Sequence, residues 1–483
     1  MLAQNRQSCP VGSQTRSIED GRRYVLVDRG LVAELTRVIP HSRVASTPEE
    51  LLVYGYDGTW LDCPPSAVAS PLSADEVAAV LGLAQRLSVP VVPRGAGSGL
   101  AGGSVPQDGG IVLNLTLMDR IREVDVDGQL AVVEPGVVNA RLQAEVDAQG
   151  LFYPPDPASL RQSTIGGNVA TAASGPRCLK YGGTREYVLG LEVVVPSGGI
   201  LRLGGRSPRE GPDSGLMHLF VGSEGTLGVV TEIAVRLIRK PPARGTVMAS
   251  FPALDDASQT VTAVLSAGVV PLALEMMDRT TIWCVEQHLH TGLPLDADAV
   301  LLVDVDGDPS EVELQASTVA GLCRAGGADQ VQQATTVAES DRLWHARRST
   351  SSSFGRLRPN KLGEDISVPR SAIPETVRAI QEIAVRHGLL IPLFGHIGDG
   401  NLHPNILCDL RDREEMARVL RAAEEIFDVA LAKGGTLSGE HGIGLLKREF
   451  LPRALDPAAL ALMRQLKQTL DPKGVLNLGK VIH

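Results

Sequence analysis

The stretch that decides the fold is Val91–Gly103, with the sequence VVPRGAGSGLAGG. Its two valines between prolines predict the end of a short buried strand, and five glycines follow. Glycine reaches left-handed backbone conformations, and its missing Cβ lets a ligand lie against the chain. Successive backbone N–H groups in such a loop can form an anion-binding nest, to which Arg94 adds a forked cation. The stretch therefore predicts either a cradle for a pyrophosphate or a purely structural turn.

The same stretch also matches the G-x-G-x-x-G pattern of nicotinamide dinucleotide sites, at Gly97, Gly99 and Gly102. That pattern binds a pyrophosphate only where a strand precedes it and a helix follows. Here the loop continues through Pro106 to the sequence IVLNLTL, which predicts a strand. We therefore do not expect a nicotinamide site.

Two further loops of small residues follow along the chain. Residues 163–175 read STIGGNVATAASG, and residues 220–237 read FVGSEGTLGVVTEIAVRL, a glycine loop that enters a strand. The near absence of bulky side chains again permits close approach of a ligand to the backbone. Three such loops in one region favour a shared ligand over unrelated turns. We call residues 94–103, 163–175 and 222–228 loops one, two and three.

Composition excludes several classes of partner. The chain has 483 residues and a net charge of −10, from 46 basic and 56 acidic side chains, and it contains no basic run. Nucleic acid is therefore not an expected partner. The sequence contains no apolar run of about eighteen residues, so we expect no transmembrane helix. The first residues show no secretory signal. Six widely spaced cysteines without C-x-x-C predict free thiols and a cytoplasmic location.

The three loops carry a resemblance to a known family. PRGAGSGLAGG, IGGNVATAASG and GSEGTLGVVTEIAVRL resemble the FAD-binding domain of the vanillyl-alcohol oxidase/PCMH-type flavoproteins. The resemblance implies a FAD extended between two subdomains. Some members tether FAD through a histidine where this chain has Ser98, so we expect non-covalent FAD. The implied FAD contacts are Pro93, Arg94, Gly95, Ala96, Gly97, Ser98, Gly99, Thr164, Gly167, Asn168, Ala170, Gly175, Glu224, Gly228, Val229, Ile233 and, near the end of the chain, Asn477.

The second half of the chain alternates strands and helices. This alternation predicts a ferredoxin-like antiparallel cap sheet covered by helices on one face. The fold class expected is therefore α+β, with a two-subdomain PCMH-type FAD-binding domain, the cap domain and a C-terminal helical segment. The expected boundaries are an N-terminal segment at 1–61, the FAD-binding domain at 62–243, the cap at 244–409 and the helical segment at 410–483.

The sequence HIGDGNLH, residues 396–403, is the sharpest local signal. Asp399-Gly400 predicts a two-residue hairpin turn, which would pair His396 with His403 on one sheet face. An ordinary polar pair is the alternative. Glu440, within GTLSGEHGIGLLK, would complete a His₂-carboxylate site for Zn²⁺, and the same set suits Fe(II) or Mn(II).

These motifs extend the resemblance to the FAD-linked dehydrogenases of D-2-hydroxy acids, which include the glycolate oxidase flavin subunit and the D-lactate and D-2-hydroxyglutarate dehydrogenases. The resemblance implies metal ligands His396, His403 and Glu440, and His441 as catalytic base. It also places Asn405 near the substrate. In LWHARRSTSSS the substrate arginine falls on Arg347, with Ser351 one helical turn beyond, and a forked cation suits a carboxylate. Lys361 is a weaker candidate because the spacing around it departs from the pattern.

The expected activity is FAD- and metal-dependent oxidation of a 2-hydroxy acid, glycolate or D-lactate, by hydride transfer to flavin N5. The expected electron acceptor is a quinone, a cytochrome or an electron-transferring flavoprotein. An iron–sulfur partner would have to be another chain because the cysteines do not cluster, and such partners would hold the protein peripherally at a membrane. The alternatives are a flavin subunit inactive without its complex, and a non-redox or phenol-oxidising member of the same fold.

Overall fold

The computed structural model describes residues 28–107, 109–207, 211, 213–334 and 336–482. The first described region is a small sheet with strand order β1-β2-β4-β3, in which β4 runs parallel to β2 and β3. As predicted, the described residues between β3 and β4 form no helix, so loop one joins two parallel strands. The elements are α1 (Arg29–Leu35), β1 (Val44–Ala45), α2 (Pro48–Leu52), β2 (Ala67–Ala69), α3 (Ala74–Leu87), β3 (Val91–Arg94) and β4 (Ile111–Asn114). Residues 1–27 of the predicted N-terminal segment lie outside the described residues.

A second, antiparallel sheet follows, with strand order β5-β6-β10-β8-β9. The elements are β5 (Ile121–Asp125), β6 (Leu130–Val133), α4 (Asn139–Asp147), β7 (Leu151–Phe152), α5 (Ile165–Thr171), α6 (Cys178–Tyr181), β8 (Val188–Val194), β9 (Ile200–Gly204), α7 (Ser214–Met217), β10 (Val229–Arg236) and β11 (Ile238–Arg239). Loop two is not all loop as predicted, because it contains α5. Its small residues allow close helix packing: a Cβ at Gly166 would lie 2.5 Å from Cβ of Pro135.

The cap is an antiparallel sheet with strand order β15-β12-β14-β13-β18-β19-β16, and β17 pairs with β19. Its elements are β12 (Ala243–Phe251), α8 (Leu254–Ser266), β13 (Ala273–Asp278), α9 (Arg279–Leu289), β14 (Ala299–Gly307), α10 (Pro309–Ala325), β15 (Gln330–Ala334), α11 (Val337–Arg348), α12 (Thr350–Leu357), β16 (Asn360–Gly363), β17 (Ile366–Ser367), α13 (Ile373–His387), β18 (Leu393–His396), β19 (Asn401–Cys408) and α14 (Arg413–Ala432). The α+β fold class is therefore confirmed.

The two faces of the cap sheet serve different purposes. Leu274, Leu393 and Leu402 belong to the main core, which α8, α10, α13 and α14 complete. Side chains alternate across a strand, so Glu275, His396 and His403 lie on the opposite face. There α9 and α11 pack against Met277 and Val300. The prediction of helices on one face only is wrong, because apolar strand residues point to both sides.

The last segment of the chain returns to loop one. After α15 (Leu451–Ala454) and α16 (Pro457–Leu470), Leu476 is buried with the core of the first sheet, and the Asn477 N–H donates to the Val91 carbonyl. Single 3₁₀ turns lie at His41–Arg43, Leu115–Leu117, Thr184–Tyr187, Arg370–Ala372 and Arg448–Phe450. Among the described helices, none combines the length and apolar character needed to cross a membrane.

The cysteines depart from prediction at one position. Cys178, Cys284, Cys323 and Cys408 are free thiols, whereas Cys63 is disulfide-bonded. The free-thiol prediction is therefore wrong at Cys63, because spacing along the sequence tests only for local motifs and not for pairing across the fold.

Candidate active site

The three glycine loops converge. A Cβ at Gly95 in loop one would overlap Oγ1 of Thr164, which precedes α5 in loop two. The Glu224 N–H in loop three donates to the Ala170 carbonyl at 2.7 Å. Asn477 closes the group, since its Nδ2 donates to the carbonyls of Gly103, at 3.1 Å, and Glu224, at 2.7 Å. Backbone from all three loops and the C-terminal segment therefore meets in one region, which we call the glycine cleft.

Two buried polar atoms in loop two fit a polar ligand such as FAD. Asn168 Nδ2 and Ser163 Oγ are buried and have no hydrogen-bond partner among the described residues. Arg94, which is predicted to contact the dinucleotide, has its guanidinium engaged within the protein. Its guanidinium lies beneath Gly97, whose Cβ would overlap it, and its Nη1 donates to the Tyr56 carbonyl at 2.7 Å. The arginine side chain therefore packs against loop one and supports its backbone.

Several residues predicted to contact FAD pack against other parts of the protein. A Cβ at Gly175 would overlap the Asp156 carbonyl, and a Cβ at Gly228 would lie 2.5 Å from Val193. Val229 and Ile233 are buried in the apolar cores. Contacts from these two residues to a cofactor would have to be made by backbone atoms. The other predicted contacts lie in β3, loop one and α5: Pro93, Ala96, Ser98, Gly99 and Gly167.

The two histidines come together through a different hairpin from the predicted one. His396 pairs with Asn401 and Phe394 with His403, so the turn has four residues and the two-residue turn is wrong. Gly400 has φ +85, and a side chain there would overlap the Val368 carbonyl, so this position of the turn requires glycine. The histidines are diagonal neighbours on one face, and their ring centroids are 5.1 Å apart.

Glu440 lies between the two histidines. Its Oε1 is 3.5 Å from His396 Nε2 and 3.4 Å from His403 Nε2. Ligand atoms about 2.1 Å from a tetrahedral zinc ion lie about 3.4 Å from one another. All three side chains are nearly buried, and their ligand atoms are grouped closely enough to hold a metal ion. The spacing therefore fits a divalent cation.

Two buried carboxylates lie behind the histidines, and sequence reasoning missed both. Glu275 accepts a hydrogen bond from His396 Nδ1 at 2.5 Å, and Asp365 Oδ1 is 3.8 Å from His403 Nδ1. Such partners direct the Nε2 atoms of metal-binding histidines toward the ion. The only signal for Glu275 was an acid inside the apolar stretch LALEMMD, and Asp365 lies in LGEDISVP without a recognisable motif.

The charges of the cluster follow from burial and proximity. Burial lowers the pKa of His403 to about 3, which keeps the ring neutral. Burial alone would raise the pKa of Glu440, but His396 and the other histidines hold it at about 2. Burial also opposes protonation of His396, yet Glu275 and Glu440 raise the pKa of this ring, so a bound cation would displace a proton.

His441 lies beside this cluster. Its ring stacks on His403 with centroids 5.3 Å apart, and its Nδ1 is buried without a partner among the described residues. Burial lowers the pKa of His441, and the positive charges of Lys447 and Lys361 lower it further against the pull of nearby carboxylates. A neutral imidazole of this kind can accept a proton.

The predicted substrate residues form a second group next to the cluster. Arg347 binds Glu275 through Nη2 at 2.6 Å and Nε at 2.8 Å, and its guanidinium lies 4.3 Å from the centre of the Phe394 ring. Glu275 thus joins Arg347 to His396. Asn405 shares the face of His403, but its Nδ2 donates to the His403 carbonyl at 2.8 Å.

Ser351 was predicted to lie one helical turn beyond Arg347. In the structure the two residues lie on different helices. Helix α11 ends at Arg348 and α12 begins at Thr350. Hydroxyl side chains near Ser349, which lies between the two helices, bond back to carbonyl groups, as Thr350 does to Arg347, and such bonds compete with the helix. Ser351 is exposed and accepts a hydrogen bond from Lys361 Nζ at 2.8 Å. Burial lowers the pKa of Lys361 to about 8.

The loop that carries Glu440 and His441 also contacts the flavin-binding half. The Glu224 carboxylate of loop three accepts hydrogen bonds from the N–H groups of Ile443, at 2.7 Å, and Gly444, at 2.8 Å. The glycine cleft and the histidine–glutamate cluster are therefore adjacent, which is the arrangement expected for the active site of a flavin-dependent oxidoreductase.

Comparison with known sequences agrees with this class. Residues 65–204 match the family model of an FAD binding domain, and residues 240–481 match that of the FAD linked oxidases, C-terminal domain. The chain belongs to the FAD-linked oxidase family.

Individual relatives are similar over most of their length. The glycolate oxidase subunit GlcD of Bacillus subtilis is 44% identical over 89% of this chain and 92% of its own. The D-lactate dehydrogenase of Anaerostipes hadrus is 33% identical over 90% of this chain and 92% of its own. A p-cresol methylhydroxylase structure shares the fold, with a TM-score of 0.79, 17% identity and coverage of 94% and 98% of the two chains.

Proposed function

We propose that this protein oxidises a small 2-hydroxy acid, glycolate or D-lactate, to the 2-oxo acid, using non-covalent FAD and one divalent cation. The observation that supports it most directly is the placement of His396, His403 and Glu440 against the glycine cleft through Glu224. The relatives named glycolate oxidase subunit and D-lactate dehydrogenase support the choice of substrate.

His396, His403 and Glu440 would hold the cation, and Zn²⁺ fits this donor set best, with Fe(II) and Mn(II) as alternatives. When bound, the cation supplies a Lewis acid for the substrate hydroxyl, and FAD supplies the hydride acceptor at N5. His441 takes the hydroxyl proton as the Cα hydrogen leaves with its electron pair, which gives the 2-oxo acid. Proton transfer of this kind contributes typically about 10²–10⁴-fold to the rate.

Arg347 orients the acid. Its guanidinium is held over the Phe394 ring and paired with Glu275, so little side-chain entropy is lost when it meets a carboxylate. Lys361 also lies near His441 and would bind the substrate carboxylate oxygen that Arg347 does not bind. Ser351 accepts a hydrogen bond from the Lys361 ammonium group and holds it in place. Asn405 and His403 are joined on β19, so Asn405 fixes the strand next to the substrate.

The test is anaerobic reduction of the bound flavin, which needs no electron acceptor. The purified holoenzyme is mixed with a panel of D- and L-2-hydroxy acids, and loss of the oxidised-flavin absorbance is followed. We expect glycolate or one D-acid to bleach the flavin, and a chelator to stop the bleaching without releasing FAD. Bleaching that persists in metal-free protein would refute the requirement for a cation. The absence of bleaching by every acid tested would refute the substrate class.

A second candidate is suggested by the relative in Bacillus subtilis, which is named as a subunit of glycolate oxidase. The chain would then pass electrons through an iron–sulfur partner to a quinone, a cytochrome or an electron-transferring flavoprotein, in the cytoplasm and at the membrane surface through its partners. Bleaching by the acid, combined with turnover only after the partner is added, would favour this candidate.

A further inference from the structure

The loop that carries Glu440 and His441 is held by two carboxylates, one from each half of the protein. We call residues 438–444 the Glu440 loop. Asp365 of the cap accepts hydrogen bonds at its Oδ2 from the N–H groups of Gly439, at 2.9 Å, and Glu440, at 2.9 Å. The same oxygen accepts the His441 N–H at 2.8 Å. Charge-assisted hydrogen bonds of this kind are about twice as strong as neutral ones.

Glu224 holds the other end of the Glu440 loop. Its two carboxylate oxygens are divided between the N–H groups of Ile443 and Gly444, which follow His441 by two and three residues. The approach is close, since a Cβ at Gly442 would lie 2.8 Å from Glu224 Oε1. Only Gly442 separates Ile443 from His441, so these hydrogen bonds hold the loop backbone next to the histidine.

The position of Glu224 is itself set by the glycine cleft. Its N–H donates to Ala170 in loop two, and its carbonyl accepts a hydrogen bond from Asn477. Its φ is +52, a left-handed conformation that is uncommon for glutamate. The side chain is 8% exposed, and burial would be costly for the carboxylate without the two N–H donors. One residue thus connects the backbone that lines the cleft to the loop that bears a metal ligand and the base.

We propose that Glu224 is a positioning residue: it sets the register of the Glu440 loop against the flavin cleft and so tunes the affinity of the His396–His403–Glu440 site for its cation. This inference rests on the proposed function. Glu224 contacts neither of the histidine ligands, so its effect would reach the metal only through the loop. Loss of a partner that orients a metal ligand typically lowers affinity by about 10–100-fold.

The test is Glu224→Gln in the holoenzyme, with Glu232→Gln as the matched control. Glutamine cannot accept both N–H groups, because its NH₂ would face one of them. Glu232 lies on β10, eight residues along the same segment, and its carboxylate pairs with Arg122 at the surface. The cation affinity is measured with Zn²⁺ by competition against a chromogenic chelator, together with FAD content, melting temperature and the rate of flavin reduction.

We expect Glu224→Gln to keep FAD, to bind Zn²⁺ about 10–100-fold more weakly and to reduce flavin more slowly at saturating acid. Glu232→Gln should match the wild type in all four measurements. Wild-type Zn²⁺ affinity in Glu224→Gln, or an equal loss in Glu232→Gln, would overturn the inference. Failure of the proposed function is distinct, because it would be seen in the wild-type protein as Zn²⁺ binding unaffected by replacement of His403.

A second variant covers the case in which Glu224→Gln does not fold or loses FAD. Gly442→Ala places a methyl group 2.8 Å from Glu224 Oε1 from the side of the Glu440 loop, at a φ of +85 that strains alanine, and it changes no residue of loop three. We expect this variant to keep FAD and to lose Zn²⁺ affinity. Undiminished affinity in Gly442→Ala would contradict the positioning role.

Discussion

Replacement of Glu275 by glutamine should lower the cation affinity of the proposed metal site, because Glu275 orients His396. The Glu275 carboxylate is 1% exposed and accepts hydrogen bonds from His396 Nδ1 at 2.5 Å and from Arg347 at 2.6 and 2.8 Å. A glutamine side chain has a single acceptor oxygen, so it can satisfy the histidine or the arginine but not both. The remaining partner would be left buried with an unmet donor.

The magnitude follows from these contacts. Loss of the His396 partner should lower cation affinity by about 10–100-fold, which corresponds to about 1.4–2.7 kcal/mol. The free energy of unfolding should fall by about 3 kcal/mol, the lower end of the range for breaking a buried ion pair, because glutamine keeps the shape and one acceptor. The assay is titration of metal-depleted holoenzyme with Zn²⁺ in competition with a chelator, alongside a urea unfolding curve.

Glu286→Gln is the matched control for this experiment. Glu286 is also a buried cap glutamate, and it accepts hydrogen bonds from the N–H groups of Thr291, Gly292 and Leu293. Its replacement should destabilise the protein and leave Zn²⁺ affinity unchanged. The reasoning is refuted if Glu275→Gln binds Zn²⁺ as tightly as the wild type, or if Glu286→Gln loses as much affinity.

Three further predictions follow from the same geometry. His441→Ala should lower the rate of flavin reduction by about 10²–10⁴-fold while FAD stays bound, and a near-normal rate would remove His441 from the role of base. Burial lowers the pKa of Lys480 from 10.5 to about 7, so the unfolded chain binds a proton that the folded protein releases. The free energy of unfolding should therefore rise as the pH increases from about 7 to 10.5, and denaturant titrations of Lys480→Met should lack this part of the rise. Acid precipitation should leave FAD in the supernatant because loop one has Ser98 and no histidine, and yellow precipitate would contradict non-covalent binding.

Features that depend on local residue types could be predicted from the sequence. Loop one joins β3 to β4, and the described residues between these strands form no helix, as the sequence predicts. Loop three leads into β10, which confirms the predicted glycine loop that enters a strand. Backbone freedom and capping act over a few residues, so such patterns are visible in one dimension.

Predictions that required two segments to meet were less successful. His396 and His403 do approach one another, but through a four-residue turn that pairs His396 with Asn401. The run after Arg347 was predicted to be a continuous helix, and hydroxyl groups interrupt it at Ser349. Strand register and helix breaks are decided by competing hydrogen bonds whose partners the sequence does not name.

By itself, the sequence determined the class of protein: three glycine loops for a dinucleotide, and the histidines and glutamate suited to a cation. Only the tertiary structure decided how these parts work together. It brought Glu275 and Asp365 behind His396 and His403, and it engaged Glu224 with the backbone after His441. The physical reason is that a buried carboxylate is tolerated only where donors converge on it, and here those donors come from residues far away along the chain.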